Sequence, residues 1–167
     1  MTKQNTPASL EITTRKPAET IRFGMKLAHC LGPGDILCLL GNLGSGKTTF
    51  VKGIAKGLRI DPKAVNSPTF VLLNLYRGRL ALHHFDLYRI EQAKELFYLD
   101  YEEYFYGQGI TVVEWAERLK NFLPAEFLKI ELSGRAPFPS ERRIRLTPVG
   151  HHYQHILEPL RYEYSRH

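Results

Sequence analysis

Apolar residues along this chain come in short blocks separated by polar stretches rich in glycine and proline. "ILCLL" (Ile36 to Leu40) is a continuous apolar run, the pattern of a strand covered on both faces. Leu10 to Thr14 reads as a short strand, and Pro17 suits the first turn of a helix running to about Cys30, ended by "GPGD". A second helical stretch follows "GNLGSGKT" and reaches about Leu58, and "DPKAVNSP" is a polar loop. "TFVLLNLY" and "LALHHF" are strand-like with only "RGR" between them, which predicts a β-hairpin with Gly78 in its turn.

Further on, "EQAKELFYLDYEEYFYG" is helical in pattern and crowded with aromatics and acids. It fits an amphipathic helix or helix pair capping the core, with a protein-docking face as the sharper alternative. "ITVVEW" is another apolar strand. "FLKIEL" and "RRIRLTP" are late strands, the second with alternating charge suited to a half-exposed edge. Residues 1–9 read as a disordered end, residues 10–149 as one domain, and residues 150–167 as a tail, either a short helix or disordered.

Composition agrees with one globular unit. In 167 residues, 43% are apolar and 24% charged, and a chain this long buries roughly two thirds of its unfolded surface. The two cysteines, Cys30 and Cys38, sit in apolar surroundings like reduced core residues, consistent with a cytoplasmic protein. No window of about 18 apolar residues and no secretory leader is present, so no membrane role is expected. The net charge of +6 is uneven: residues 1–59 carry nine Lys/Arg against three acids, and residues 135–167 six against three. Such ends fit an anionic partner, or solubility alone.

Gly41-Asn42-Leu43-Gly44-Ser45-Gly46-Lys47-Thr48 matches G-x-x-x-x-G-K-[ST] without departure. The glycines let backbone N–H groups curl around phosphate oxygens, and the helix opening through Thr48 and Thr49 aims its positive end at the same anion. Lys47 is expected at the β- and γ-phosphates and the Thr48 hydroxyl at Mg²⁺. A buried strand, this loop and a helix predict an α/β, P-loop NTPase-like three-layer sandwich, with a mixed, mainly parallel sheet and a β-hairpin.

The loop alone does not specify a reaction. No N-K-x-D guanine motif is present, which disfavours a GTPase. "LSGR" runs into Pro137 instead of opening a helix, unlike a transporter-ATPase signature. A small-molecule kinase stays open, although no D-x-D pair or arginine-rich lid appears, as does a nucleotide-gated adaptor without turnover. Hydrolysis needs an acid for Mg²⁺ and a group to orient water. Candidates at strand ends are Asp86, Glu114 and Thr69; for Asp86, a helix cap or a salt bridge with Arg89 is the competing reading. His83 and His84 are adjacent, so on a strand they face opposite ways and cannot share one metal.

With the glycine loop, "SPTF" (Ser67 to Phe70), "HFDLYR" (His84 to Arg89), "EEYF" (Glu102 to Phe105) and "VEWAER" (Val113 to Arg118) in order, the chain resembles the bacterial TsaE (formerly YjeE) family over about Thr13 to Leu146. The resemblance implies an ATPase needed for threonylcarbamoyladenosine in tRNAs that read codons starting with A. It also implies action through a TsaB–TsaD complex, with tRNA met indirectly. By motif it places Lys47 and Thr48 at phosphate and Mg²⁺, Glu114 as a second Mg²⁺-linked acid, Thr69 in a nucleotide-responsive loop and Asp86 in hydrolysis. Trp115 and Thr20 fall at family positions near the nucleotide. The family commonly has proline after E-W. Here Ala116 follows, which permits helix at Trp115 and an earlier helix start.

Overall fold

The computed structural model describes residues 9–165; most of the end expected over residues 1–9 lies outside them. A seven-stranded mixed sheet runs in the order β1-β7-β6-β2-β5-β4-β3. Its strands are β1 (Leu10–Thr14), β2 (Ile36–Leu40), β3 (Leu73–Tyr76), β4 (Leu82–Asp86), β5 (Ile110–Glu114), β6 (Phe127–Arg135) and β7 (Phe138–Val149). β2 is parallel to β5 and β6, and β4 is parallel to β5. β7 is antiparallel to β1 and β6, and β3 to β4. Thus β1, β2, β4, β5 and β6 point one way, β3 and β7 the other.

Side-chain alternation along the central strands divides the core into two layers. Leu37, Leu39, Ile110, Val112, Leu128 and Ile130 pack towards α1 (Pro17–Ala28) and α2 (Lys47–Gly57). Ile36, Cys38, Phe85 and Val113 pack on the other face. There they meet a 3-10 helix (Ala93–Leu99), α3 (Tyr101–Phe105) and a second 3-10 helix (Ala116–Phe122). This is the three-layer sandwich. α1 and α2 touch through glycine: a Cβ on Gly53 would lie 2.4 Å from the Ile21 carbonyl oxygen, so no larger residue permits this approach. Phe23 and Phe50 close the same interface, both fully buried, a burial worth about 1.5–3 kcal/mol each.

Two local expectations need correction. β7 is no edge: it lies between β1 and β6, with Leu10 opposite Leu146 and Ile144 opposite Leu132. Its alternating pattern arises because one face is covered and the other wet, which a sequence cannot tell from an edge. The stretch 91–107 takes the helix-pair form, a 3-10 helix and α3 divided at Asp100, which adopts φ +47. The second correction concerns Trp115 and is described with the site.

Residues His151–Tyr164 form α4, and Tyr153, Ile156, Leu157 and Leu160 are buried in the layer of α1 and α2. Its first turn grips the start of β2. The Ile36 N–H donates to the Tyr153 hydroxyl at 2.7 Å, and His152 Nε2 donates to Asp35 Oδ1 at 2.6 Å. Asp35 Oδ2 in turn accepts from Gly32 N–H at 2.7 Å. Burial holds the Tyr153 hydroxyl far above the ordinary tyrosine range, so it stays neutral. β2 is therefore anchored at its beginning by α4 and released into the glycine loop at its end.

Candidate nucleotide site

Because β2, β4 and β5 are parallel, their carboxyl ends share one edge of the sheet. The glycine loop leaves β2 there, and register places Asp86 beside Glu114 and Leu39 beside Glu114. This is the crevice where α/β sheets bind ligands. The loop curls through Gly46, whose φ of +101 suits glycine alone, and α2 starts at Lys47. Anions are favoured at this helix end, where the first N–H groups lack helical partners.

Lys47 Nζ donates to the carbonyls of Gly41 at 2.5 Å and Asn42 at 3.1 Å, and lies 3.4 Å from Ser45 Oγ. It also sits 4.3 Å from the centre of the Trp115 ring, a cation–π contact. Burial depresses its pKa below the ordinary lysine value, although Glu114, Glu117 and Asp86 oppose that shift. An ammonium held in this way has its contacts in place for exchange with phosphate oxygens.

Glu114 is buried, and its Oε1 accepts from Thr48 Oγ1 at 3.1 Å and from His84 Nε2 at 2.8 Å. The carboxylate only accepts, so the His84 tautomer carries its proton on Nε2. Its Nδ1 is buried with no hydrogen-bond partner among the described residues. His83 faces the other side of the sheet, 3.3 Å from Thr111 Oγ1. The histidine pair is thus divided, and His84 supports a site carboxylate, a role the sequence reading missed. Its signal was position, two residues before Asp86 on a strand beside Glu114.

Asp86 is also buried. Its Oδ2 accepts from the hydroxyls of Ser67 and of Thr69, the latter at 2.6 Å, and its Oδ1 accepts from Tyr88 N–H at 2.9 Å. The two hydroxyls lie 2.8 Å apart, and their two protons suffice for both to point at Asp86. Asp86 thus caps a turn and faces the cavity at once. Arg89, the alternative partner, lies instead over the Phe70 ring at 4.1 Å. Ser67 is a second missed residue, although "SPTF" contains it.

Trp115 takes φ +57 and ψ +42, and the 3-10 helix begins after it at Ala116. The expected earlier start does not occur. A left-handed non-glycine residue costs about 1–2 kcal/mol. The turn sets the Trp115 ring against Lys47 and, at 4.9 Å between centres, against Tyr88.

Leu43 to Thr49, Ser67, Thr69, Asp86, Tyr88, Glu114, Trp115 and Arg142 enclose a cavity of about 410 Å³. A neighbouring cavity of about 550 Å³ lies between Asn42–Ser45 and the β6–β7 turn. Gly41 sits at the root of the loop, with Lys47 bonded to its carbonyl, and Leu43 is exposed at the tip. Thr20 lies outside the main cavity: its buried hydroxyl is 2.7 Å from that of Thr14, and it borders a small space beside Gly46 and Thr49. Arg142 had no motif to mark it.

Fold and site together define a P-loop NTPase-like α/β protein with acids gathered at the loop. The sequence profile described as "Threonylcarbamoyl adenosine biosynthesis protein TsaE" matches residues 14–144, and the chain belongs to that family. It is 44% identical over 159 residues to tRNA threonylcarbamoyladenosine biosynthesis protein TsaE of Bacillus subtilis, covering 95% of each chain. The protein of the same name from Treponema pallidum is 40% identical over 123 residues, covering 74% of this chain and 90% of that one. The crystal structure of Bacillus subtilis YdiB superposes with a TM-score of 0.77 at 38% identity, covering 93% of this chain and 96% of that one.

Proposed function

We propose that this protein is a Mg²⁺-dependent ATPase serving threonylcarbamoyladenosine modification of tRNAs that read codons starting with A. It acts in the cytoplasm with homologues of TsaB and TsaD and meets tRNA through that complex. The observation that carries this reading is the meeting of Lys47, Thr48, Asp86 and Glu114 on one sheet edge in a member of the TsaE family.

The residues present fit Mg²⁺, because Thr48 Oγ1 and Glu114 Oε1 are oxygen donors 3.1 Å apart at the helix mouth. Bound there, the ion would neutralise charge on the β- and γ-phosphate oxygens. The chain's own groups supply the rest. Backbone N–H groups of Gly44 to Thr49 hold the phosphates, and Lys47 exchanges its carbonyl contacts for phosphate oxygens. Asp86 carries accepting oxygens at the cavity wall and orients the attacking water. Ser67 and Thr69 hold that carboxylate, so their loop reports on the site. Trp115 and Tyr88 shield Lys47 from solvent.

Purified protein, alone and with the TsaB and TsaD homologues, should bind ATP and release inorganic phosphate only with Mg²⁺ present. Lys47→Ala should abolish both. Failure to bind or hydrolyse ATP with the partners present would overturn the proposal. Phosphate delivered to a metabolite would make it a kinase, and bound ATP left intact through a single turnover would make it an adaptor.

A further inference from the structure

The β6–β7 hairpin carries four arginines, Arg135, Arg142, Arg143 and Arg145, and Arg142 reaches the glycine loop. Three have carboxylate partners: Arg135 pairs with Glu141, and Arg143 and Arg145 with Glu11. Arg142 makes no ion pair among the described residues. Its guanidinium donates to neutral carbonyls only, those of Pro139 at 2.7 Å, Glu141 at 2.8 Å and Gly44 at 3.2 Å. The last acceptor belongs to the glycine loop itself.

Its position is fixed by the sheet. β7 is paired on both sides, with Arg142 opposite Thr14 of β1 and Gly134 of β6, next to a register shift at Gly134/Arg135. Its stem covers Gly46, where a Cβ would lie 3.4 Å from Arg142 Nε and 3.7 Å from its Cγ and Cδ. Arg142 borders all three cavities around the loop: that of Lys47, that under the hairpin, and the small space of Thr20 and Thr49. Lys47 points at Gly41, Asn42 and Trp115, whereas Arg142 stands over Gly46 and Gly44. A half-buried guanidinium paired only with carbonyls gains from a phosphate, which its planar fork can bind at two oxygens.

We propose that Arg142 is a nucleotide-binding residue that grips the phosphate chain on the nucleoside side of the glycine loop. This rests on the ATP-binding reading above. Its class of ligand is any nucleoside di- or triphosphate, because the group it meets is common to both and distinct from the γ-phosphate. Lys47 and Glu114 serve the terminal phosphates, and Arg142 fixes the end that does not react.

The test compares wild type, Arg142→Ala, Arg142→Gln, Arg142→Lys and, as a control from the outward-paired set, Arg143→Ala. Affinities for ADP and ATP are measured by calorimetric titration at two salt concentrations, with kcat at saturating ATP. Arg142→Ala and Arg142→Gln should weaken ADP and ATP by the same factor, about ten- to a hundredfold, with a shallower salt dependence. Arg142→Lys should recover part of the loss, and Arg143→Ala should keep the affinity and kcat of wild type. The glutamine variant keeps a stem over Gly46, so loss of charge is separated from loss of packing.

Unchanged ADP affinity in a folded Arg142→Gln protein would overturn the assignment. So would a fall in kcat with unchanged ADP affinity, which would move Arg142 to the γ-phosphate. Wild type that binds neither nucleotide would overturn the underlying ATP reading, a result distinct from both.

Discussion

Tyr153→Phe removes one oxygen from the clamp between α4 and β2 and leaves the ring in place. Tyr153 and Ile36 are each 3% exposed, so no bulk solvent replaces the lost partner of the Ile36 N–H. An unpaired buried amide costs about 1–3 kcal/mol. In a domain of this size each kcal/mol lowers Tm by about 2–4 °C, so the variant should melt roughly 2–12 °C below wild type. Scanning calorimetry at neutral pH, where the buried hydroxyl is neutral, gives the number. Nucleotide affinity should not change, because the clamp lies at the end of β2 away from the glycine loop. A Tm within about 1 °C of wild type would show that the amide finds another partner and that α4 does not clamp the strand.

Other consequences concern the site and its surroundings. His84→Ala removes the second donor to Glu114, so the Mg²⁺ concentration for half-maximal ATP hydrolysis should rise about ten- to a hundredfold, read from a Mg²⁺ titration. Ser67→Ala and Thr69→Ala should each slow hydrolysis, but neither should slow it further in an Asp86→Ala background. Coupling of about 0.5–3 kcal/mol in that cycle is the expected value, and strict additivity would refute the shared network. His83 is half-buried, and burial lowers its pKa below its ordinary 6.5. The unfolded chain therefore binds the proton first as pH falls through 6.5, and folded-state stability declines from there down to the native pKa. His83→Gln should flatten that part of the curve of denaturation midpoint against pH.

The parts legible in the sequence are those encoded locally. The glycine loop requires its residue types within eight consecutive positions, and Asp86 and Glu114 terminate apolar runs, which places acids at a sheet edge once the strands are parallel. What escaped depends on distant pairing. β7 resembles an edge until β1 is known to cover it, and Arg142 means nothing until β7 lies beside the loop. The turn at Trp115 accompanies the contacts of its ring with Lys47 and Tyr88, against which the helix propensity of Ala116, a few tenths of a kcal/mol, is small. α4 was obscure because its three histidines and Arg161 suggest a solvated tail, while the apolar residues that dock it are spaced among them.

The clamp on β2 also affects the order in which the molecule can be assembled. Ile36 and Tyr153 are 117 residues apart in sequence, and the strand that flanks β2 on one side, β6, follows it by nearly as far. During synthesis the glycine loop leaves the ribosome long before β6, β7 and α4 exist to hold its strand. Until β5 and then β6 emerge, the nascent chain displays a wholly apolar strand without its partners, the sort of segment that chaperones recognise. The central strand therefore completes its pairing late, when its distant partners β6 and α4 close over it.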